Sequence, residues 1–209
     1  MRVLAIETAS EACSIALVEG NDVIARDHRV MGRGHAEALI PMIGNLPHKG
    51  RAERILVGLG PGSFTGVRIG LATARALGFA WNAQVYGYPT LALIAAQVRE
   101  HLSAKAVTVC VNGGHGEWFV QDFAADGTPV CALQSVTPDA ARMRGACAVI
   151  AGNRAAEFAA LLGGVAEAIT VLPDAACVGL LPDGALIDHL APIYGRGADA
   201  TPMAERRGP

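Results

Sequence analysis

Several features are scarce or missing in this 209-residue chain, and each gap removes a class of function. No apolar run approaches the roughly 20 residues of a membrane span. The opening residues meet Glu7 too early for a secretory signal peptide, so the expected location is the cytoplasm, with no membrane partner. Charged residues make up only 17%, and the net charge is -2. That balance argues against a broad basic surface for nucleic acid, so a role near RNA would need a partner to supply most phosphate contacts. Among five cysteines (Cys13, Cys110, Cys131, Cys147 and Cys177) there is no C-x-x-C pair, and they read as small buried apolar residues of a reducing compartment. H-E-x-x-H and a nucleophile elbow are absent, which leaves a peptidase or hydrolase without its machinery. Asp122, Asp126, Asp174, Asp183 and Asp188 show no paired spacing, and no metal site or catalytic residue is assigned.

What is present is an apolar, glycine-rich sequence. At 52% hydrophobic residues it can bury a sizeable core, in one large domain or two small lobes. Apolar runs and turn residues predict strands over 3–8, 13–18 and 23–30, with Glu19-Gly20-Asn21-Asp22 as the tight turn between the last two. A helix over 35–46, a buried strand over 55–59, a helix over 67–81, a strand over 85–88 and a helix opened by Pro89 and running to about residue 102 follow. The second half repeats this order more weakly: strands over 106–111, 118–123 and 129–136, a helix over 138–143, a strand over 148–151 and a helix over 154–162. The shared β-β-β-α-β-α order predicts an α/β fold of two similar lobes around a cleft, the second reduced. The expected division is 1–103, 104–195 and a mobile tail over 196–209.

The richest segment runs from Gly58 to Gly78. A buried strand enters a Gly/Pro/Ser/Thr turn and then a helix that Ser63 or Thr65 can cap. The turn reads either as a phosphate cradle or as a tight capped connection; it lacks the Walker lysine. In the helix, Gly70, Ala74 and Gly78 recur every four residues, Leu71 covers another side, and Arg68 and Arg75 share a third. Small or apolar residues nearly all round predict burial on more than one side, by the chain's own sheet and by either the second lobe or a partner.

Four stretches carry a family resemblance. The run from Gly60 to Gly78 resembles the signature of the TsaB (YeaZ) family. Ala5 to Leu17 resembles that family's first hairpin, Arg33 to Ile43 its first helix, and Pro192-Ile193-Tyr194 its closing strand. The resemblance is strong over about the first 90 residues and faint beyond. It implies the actin-like fold (ASKHA, ribonuclease H-like) and a heterodimer with a TsaD-type transferase. That partner moves a threonylcarbamoyl group from an adenylate onto the adenosine beside the anticodon, position 37, of tRNAs reading ANN codons. A TsaE-type ATPase joins the complex, and the isolated family member forms homodimers. This chain would be a non-catalytic subunit needing no cofactor, with ATP and metal in its partners and tRNA met mainly through the complex. The first two helices would form the contact, here His35, Ala38, Leu39 and Met42, then Arg68, Gly70, Leu71, Ala74, Arg75 and Gly78. On that reading Ala74→Arg blocks the partner and spares the fold.

The transferases bind metal through two His four apart on one helix; here His35 is followed at that spacing by Leu39. Two departures point toward the transferases. Glu7 stands where the family pattern has Asp, and Asn112-Gly113-Gly114-His115 resembles a phosphate-side loop. They keep a rival open: a small actin-like ATP-binding phosphotransferase using Glu7, Gly60, Gly62, Ser63, Gly113 and Gly114.

Overall fold

The computed structural model describes residues 1–99, 105–182 and 184–195. Strand β1 (Arg2–Glu7) pairs antiparallel with β2 (Ala12–Glu19), which turns through Gly20 and Asn21 into antiparallel β3 (Asp22–Val30). Helix α1 (His35–Asn45) leads to β4 (Arg54–Gly58), parallel to β1; α2 (Phe64–Trp81) leads to β5 (Gln84–Tyr88), parallel to β4. The sheet order is β3-β2-β1-β4-β5.

After α3 (Thr90–Arg99) the pattern recurs. β6 (Val107–Gly114), β7 (Glu117–Phe123) and β8 (Gln134–Val136) are antiparallel neighbours. Helix α4 (Pro138–Arg144), β9 (Val149–Ala151), α5 (Ala155–Leu161) and β10 (Glu167–Ile169) complete the repeat. The second sheet reads β8-β7-β6-β9-β10, strand for strand the order of the first.

Alternation along the central strands explains the layers, because successive side chains point to opposite faces. Leu4 and Ile6 of β1 join Ile15, Ile55 and Val57 beneath α1 and α2. Ala5, Ala16 and Leu56 face the other way, onto Tyr88, Leu93, Ala175 and Val178. A sheet covered on both sides needs apolar residues at nearly every position, hence the unbroken apolar runs. Helix α3 lies between the lobes: Leu93 faces the first sheet, while Leu91, Ile94 and Val98 pack with Val107, Val109 and Phe119 of the second. A 3-10 turn at Ala175–Leu180 returns the chain to the first lobe. It is anchored by Asp174, which accepts from Ser14 Oγ at 3.1 Å and Arg26 at 3.3 Å.

Several expectations shift. The strand predicted over 129–136 is reduced to Gln134–Val136 and an isolated bridge from Pro129 to Phe123, and β10 was not anticipated. Pro41 removes a backbone donor and would be expected to bend or divide α1, yet the helix runs on past it from His35 to Asn45. The Pro-x-Tyr segment at 192–194 is not a strand, although Ile193 N donates to Leu59 O at 2.8 Å; upstream, Ile187 bridges Gly87 of β5. The helix end expected near residue 102, the division after 103 and the tail 196–209 lie outside the described residues. Cys13 and Cys110 are buried as expected, but Cys131, Cys147 and Cys177 are only half-buried. Among the described residues no helix is long and apolar enough to cross a membrane.

Candidate functional site

The start of α2 is built on the β1–β2 turn. Ser63 caps the helix by accepting from Gly66 N at 3.1 Å, and Ser63 N donates to Ala9 O at 2.7 Å. Thr8 Oγ1 donates to Gly66 O at 2.8 Å. A Cβ at Gly62 would collide with the Ala9 carbonyl, and one at Gly66 with the Thr8 carbonyl. The glycines therefore admit this chain's own backbone, which favours the tight capped connection over a phosphate cradle at these positions. Gly60, with φ +87°, lies against Val67 and Ile193 O rather than on the cleft wall.

The small-residue stripe also has an internal purpose, which corrects the predicted interface. Ala74 is fully buried in the first-lobe core. A Cβ at Gly70 would strike Thr8 Oγ1, and one at Gly78 would strike Val85. Leu71, Leu39 and Met42 are buried in that core too, and Ala38 is half-buried against it. His35 is buried, with Nε2 3.2 Å from Ala12 O, a helix-start residue tied to backbone. Arg68 is exposed but stacks over Phe64 and donates to Tyr194 OH at 3.1 Å, while Arg75 donates to Leu190 O at 2.5 Å. Both arginines hold the chain's own closing segment.

What the two helices present outward is a different set. Phe79 is 93% exposed and Ile40 52% exposed, and Ala72, Ala76 and Ala80 are exposed along α2. Sequence reasoning passed over Phe79 because the helix is apolar nearly all round and its phase could not be read. The available signal was spacing: positions 72, 76 and 80 recur every four residues, out of step with 70, 74 and 78.

Between the lobes lies a cleft of about 910 Å³. It brings together Gly62 and Ser63 of the first lobe with Gly113 and Gly114 of the second. Gly114, at φ +74°, suits the β6–β7 turn, and Gly113 has no room for a side chain beside Glu117 O. Glu7 does not reach this cleft. It is fully buried, accepts from Ala9 N at 2.7 Å and Thr90 Oγ1 at 3.0 Å, and leaves no space for a Cβ at Gly58. Burial pushes its carboxyl up to about 7, against the pull of those hydrogen bonds. Among the described residues no three His, Cys, Asp or Glu are grouped to hold a metal, and the neighbour of His35 one turn on is the apolar Leu39.

Residues 27–145 match the family model described as TsaD: tRNA N6-adenosine threonylcarbamoyltransferase. The tRNA threonylcarbamoyladenosine biosynthesis protein TsaB of Escherichia coli K12 is 34% identical over 132 residues, covering 60% of this chain and 56% of the relative. The chain belongs to this family, in its TsaB (YeaZ) branch. TsaB of Haemophilus influenzae is 30% identical over 122 residues, 56% of this chain and 51% of the relative. The matches thus span about half the length of these curated relatives. A crystal structure from Pseudomonas aeruginosa, described as an uncharacterized protein with similarity to peptidase YEAZ, superposes with a TM-score of 0.77 at 25% identity. It covers 93% of this chain and 99% of that one, so the duplicated α/β architecture extends through the second lobe, where the sequence resemblance fades.

Proposed function

We propose that this chain is a non-catalytic subunit of the machinery that threonylcarbamoylates adenosine 37 of tRNAs reading ANN codons. It forms a heterodimer with a TsaD-type transferase, the complex recruits a TsaE-type ATPase, and tRNA is met mainly through the assembly. In isolation the same face supports a homodimer. The observation that carries this reading is the uncovered outer side of α1 and α2. Phe79 and Ile40 stand out from it, and Ala72, Ala76 and Ala80 would let another backbone approach closely. An aromatic anchor amid small residues has the composition of an interface centre. Family membership and the relatives' names support the pathway. The net charge of -2 supports indirect contact with tRNA.

The rival phosphotransferase relies on Glu7, which is buried with partners of its own and does not line the cleft. ATP and metal chemistry are accordingly assigned to the partner subunits. Gel filtration of this chain mixed with the transferase tests the assignment. A 1:1 complex that displaces the homodimer supports it; two species eluting independently at micromolar concentration count against it.

A further inference from the structure

Glu11 lies in the β1–β2 turn of the first lobe, and Asn153 in the β9–α5 turn of the second; both line the cleft and both are half-buried. Asn153 Nδ2 donates to Glu11 Oε1 and Oε2, each at 3.0 Å. Asn153 Oδ1 accepts from Asn112 N at 2.9 Å, and Asn112 Oδ1 accepts from Gly114 N at 3.2 Å. Side-chain hydrogen bonds thus run from the first-lobe turn to the β6–β7 hairpin, joining two loops that face each other across the cleft. The turn is itself held, because Glu11 O accepts from Met31 N and Gly32 N at 2.9 Å each.

We infer that Glu11 determines what the cleft admits: its side chain ties the lobes across the mouth and its charge bars polyphosphates. Nothing in the assembly reading above is needed for this. A ligand phosphate bridging these loops would have to displace Asn153 and sit beside a carboxylate. Among the described residues Glu11 forms no salt bridge: its side chain accepts from the Asn153 amide, while Arg68, the arginine lining the same cleft, is held by Tyr194. Like charges brought together at a closing interface are strongly unfavourable. The aromatic and aliphatic lining of Phe64, Phe119, Tyr194 and Ile94, with Arg68 stacked on Phe64, leaves the interior open to uncharged ligands.

Three variants separate the tie from the charge. Glu11→Ala removes both, Glu11→Gln keeps an acceptor for Asn153 without the charge, and Asn153→Ala removes the tie alone. Two readouts are taken on the full chain: amide hydrogen exchange over 111–116 and 152–155, and Mg-ATP titration calorimetry. A charge-assisted hydrogen bond lost from the tie should raise exchange about tenfold in Glu11→Ala and Asn153→Ala, with Glu11→Gln close to wild type. Mg-ATP should bind Glu11→Ala and Glu11→Gln at least about tenfold more tightly than wild type, while Asn153→Ala still excludes it. Submillimolar Mg-ATP binding by the wild type or by Asn153→Ala overturns the inference. So does a Glu11→Ala variant unchanged in either readout.

Discussion

Ala74 and Ala76 are two residues apart on α2 and face opposite ways: Ala74 is fully buried over the first sheet, and Ala76 is exposed. At 100° per residue, two steps turn a side chain through about 200°. An arginine at the first position puts a cation into a close-packed core, and at the second it lies in water.

Ala74→Arg is therefore expected to destabilise the fold by about 3 kcal/mol or more, with loss of partner binding as a consequence. Ala76→Arg should change stability by no more than about 0.5 kcal/mol and still abolish capture of the transferase. Thermal melts alongside a pull-down distinguish the two. An Ala74→Arg protein that melts like wild type would return the buried stripe to the interface.

Glu7 makes stability depend on pH. Its folded-state pKa of about 7 lies above the ordinary 4.5, so between those values the folded chain holds a proton that the unfolded chain has lost. The contribution is fully present below pH 4.5 and is lost as pH rises through about 7. The difference is on the order of 3 kcal/mol. Glu7→Gln stays neutral throughout, so its stability relative to wild type should rise between pH 5 and pH 8. Urea unfolding at several pH values measures this; a constant difference between the two proteins would contradict it.

Gly66 is excluded from substitution by backbone rather than by any ligand. A Cβ there meets the Thr8 carbonyl oxygen, which cannot swing aside as a side chain can. Gly66→Ala should cost about 1–3 kcal/mol. Gly44, exposed on α1 with open space around its Cα, should accept alanine without loss and gain up to about 1 kcal/mol. Denaturant midpoints compare the pair directly.

The duplicated strand order was legible in the sequence because hairpin turns such as Gly20-Asn21 and apolar runs such as Ile55 to Leu59 act locally. β10 escaped because Glu167-Ala168-Ile169 is a three-residue edge strand, largely exposed, with no alternation to detect. The stripe Gly70-Ala74-Gly78 announced a close approach, but a single sequence does not say to what; Thr8 and Val85, which need the space, become neighbours only in the fold. Glu7 was noticed for its position, whereas its burial beneath Gly58 depends on β4 lying beside β1. The Glu11–Asn153 contact joins residues 142 positions apart and carries no local signal.

The central claim is that this chain serves tRNA threonylcarbamoylation through the outer face of α1 and α2. The most direct measurement is mass spectrometry of tRNA nucleosides from cells depleted of the protein and complemented with wild type, Phe79→Asp or Glu7→Gln. Threonylcarbamoyladenosine should fall on depletion, return with wild type and Glu7→Gln, and stay low with Phe79→Asp although that variant is folded. Unchanged threonylcarbamoyladenosine in depleted cells, or full restoration by Phe79→Asp, would contradict the account.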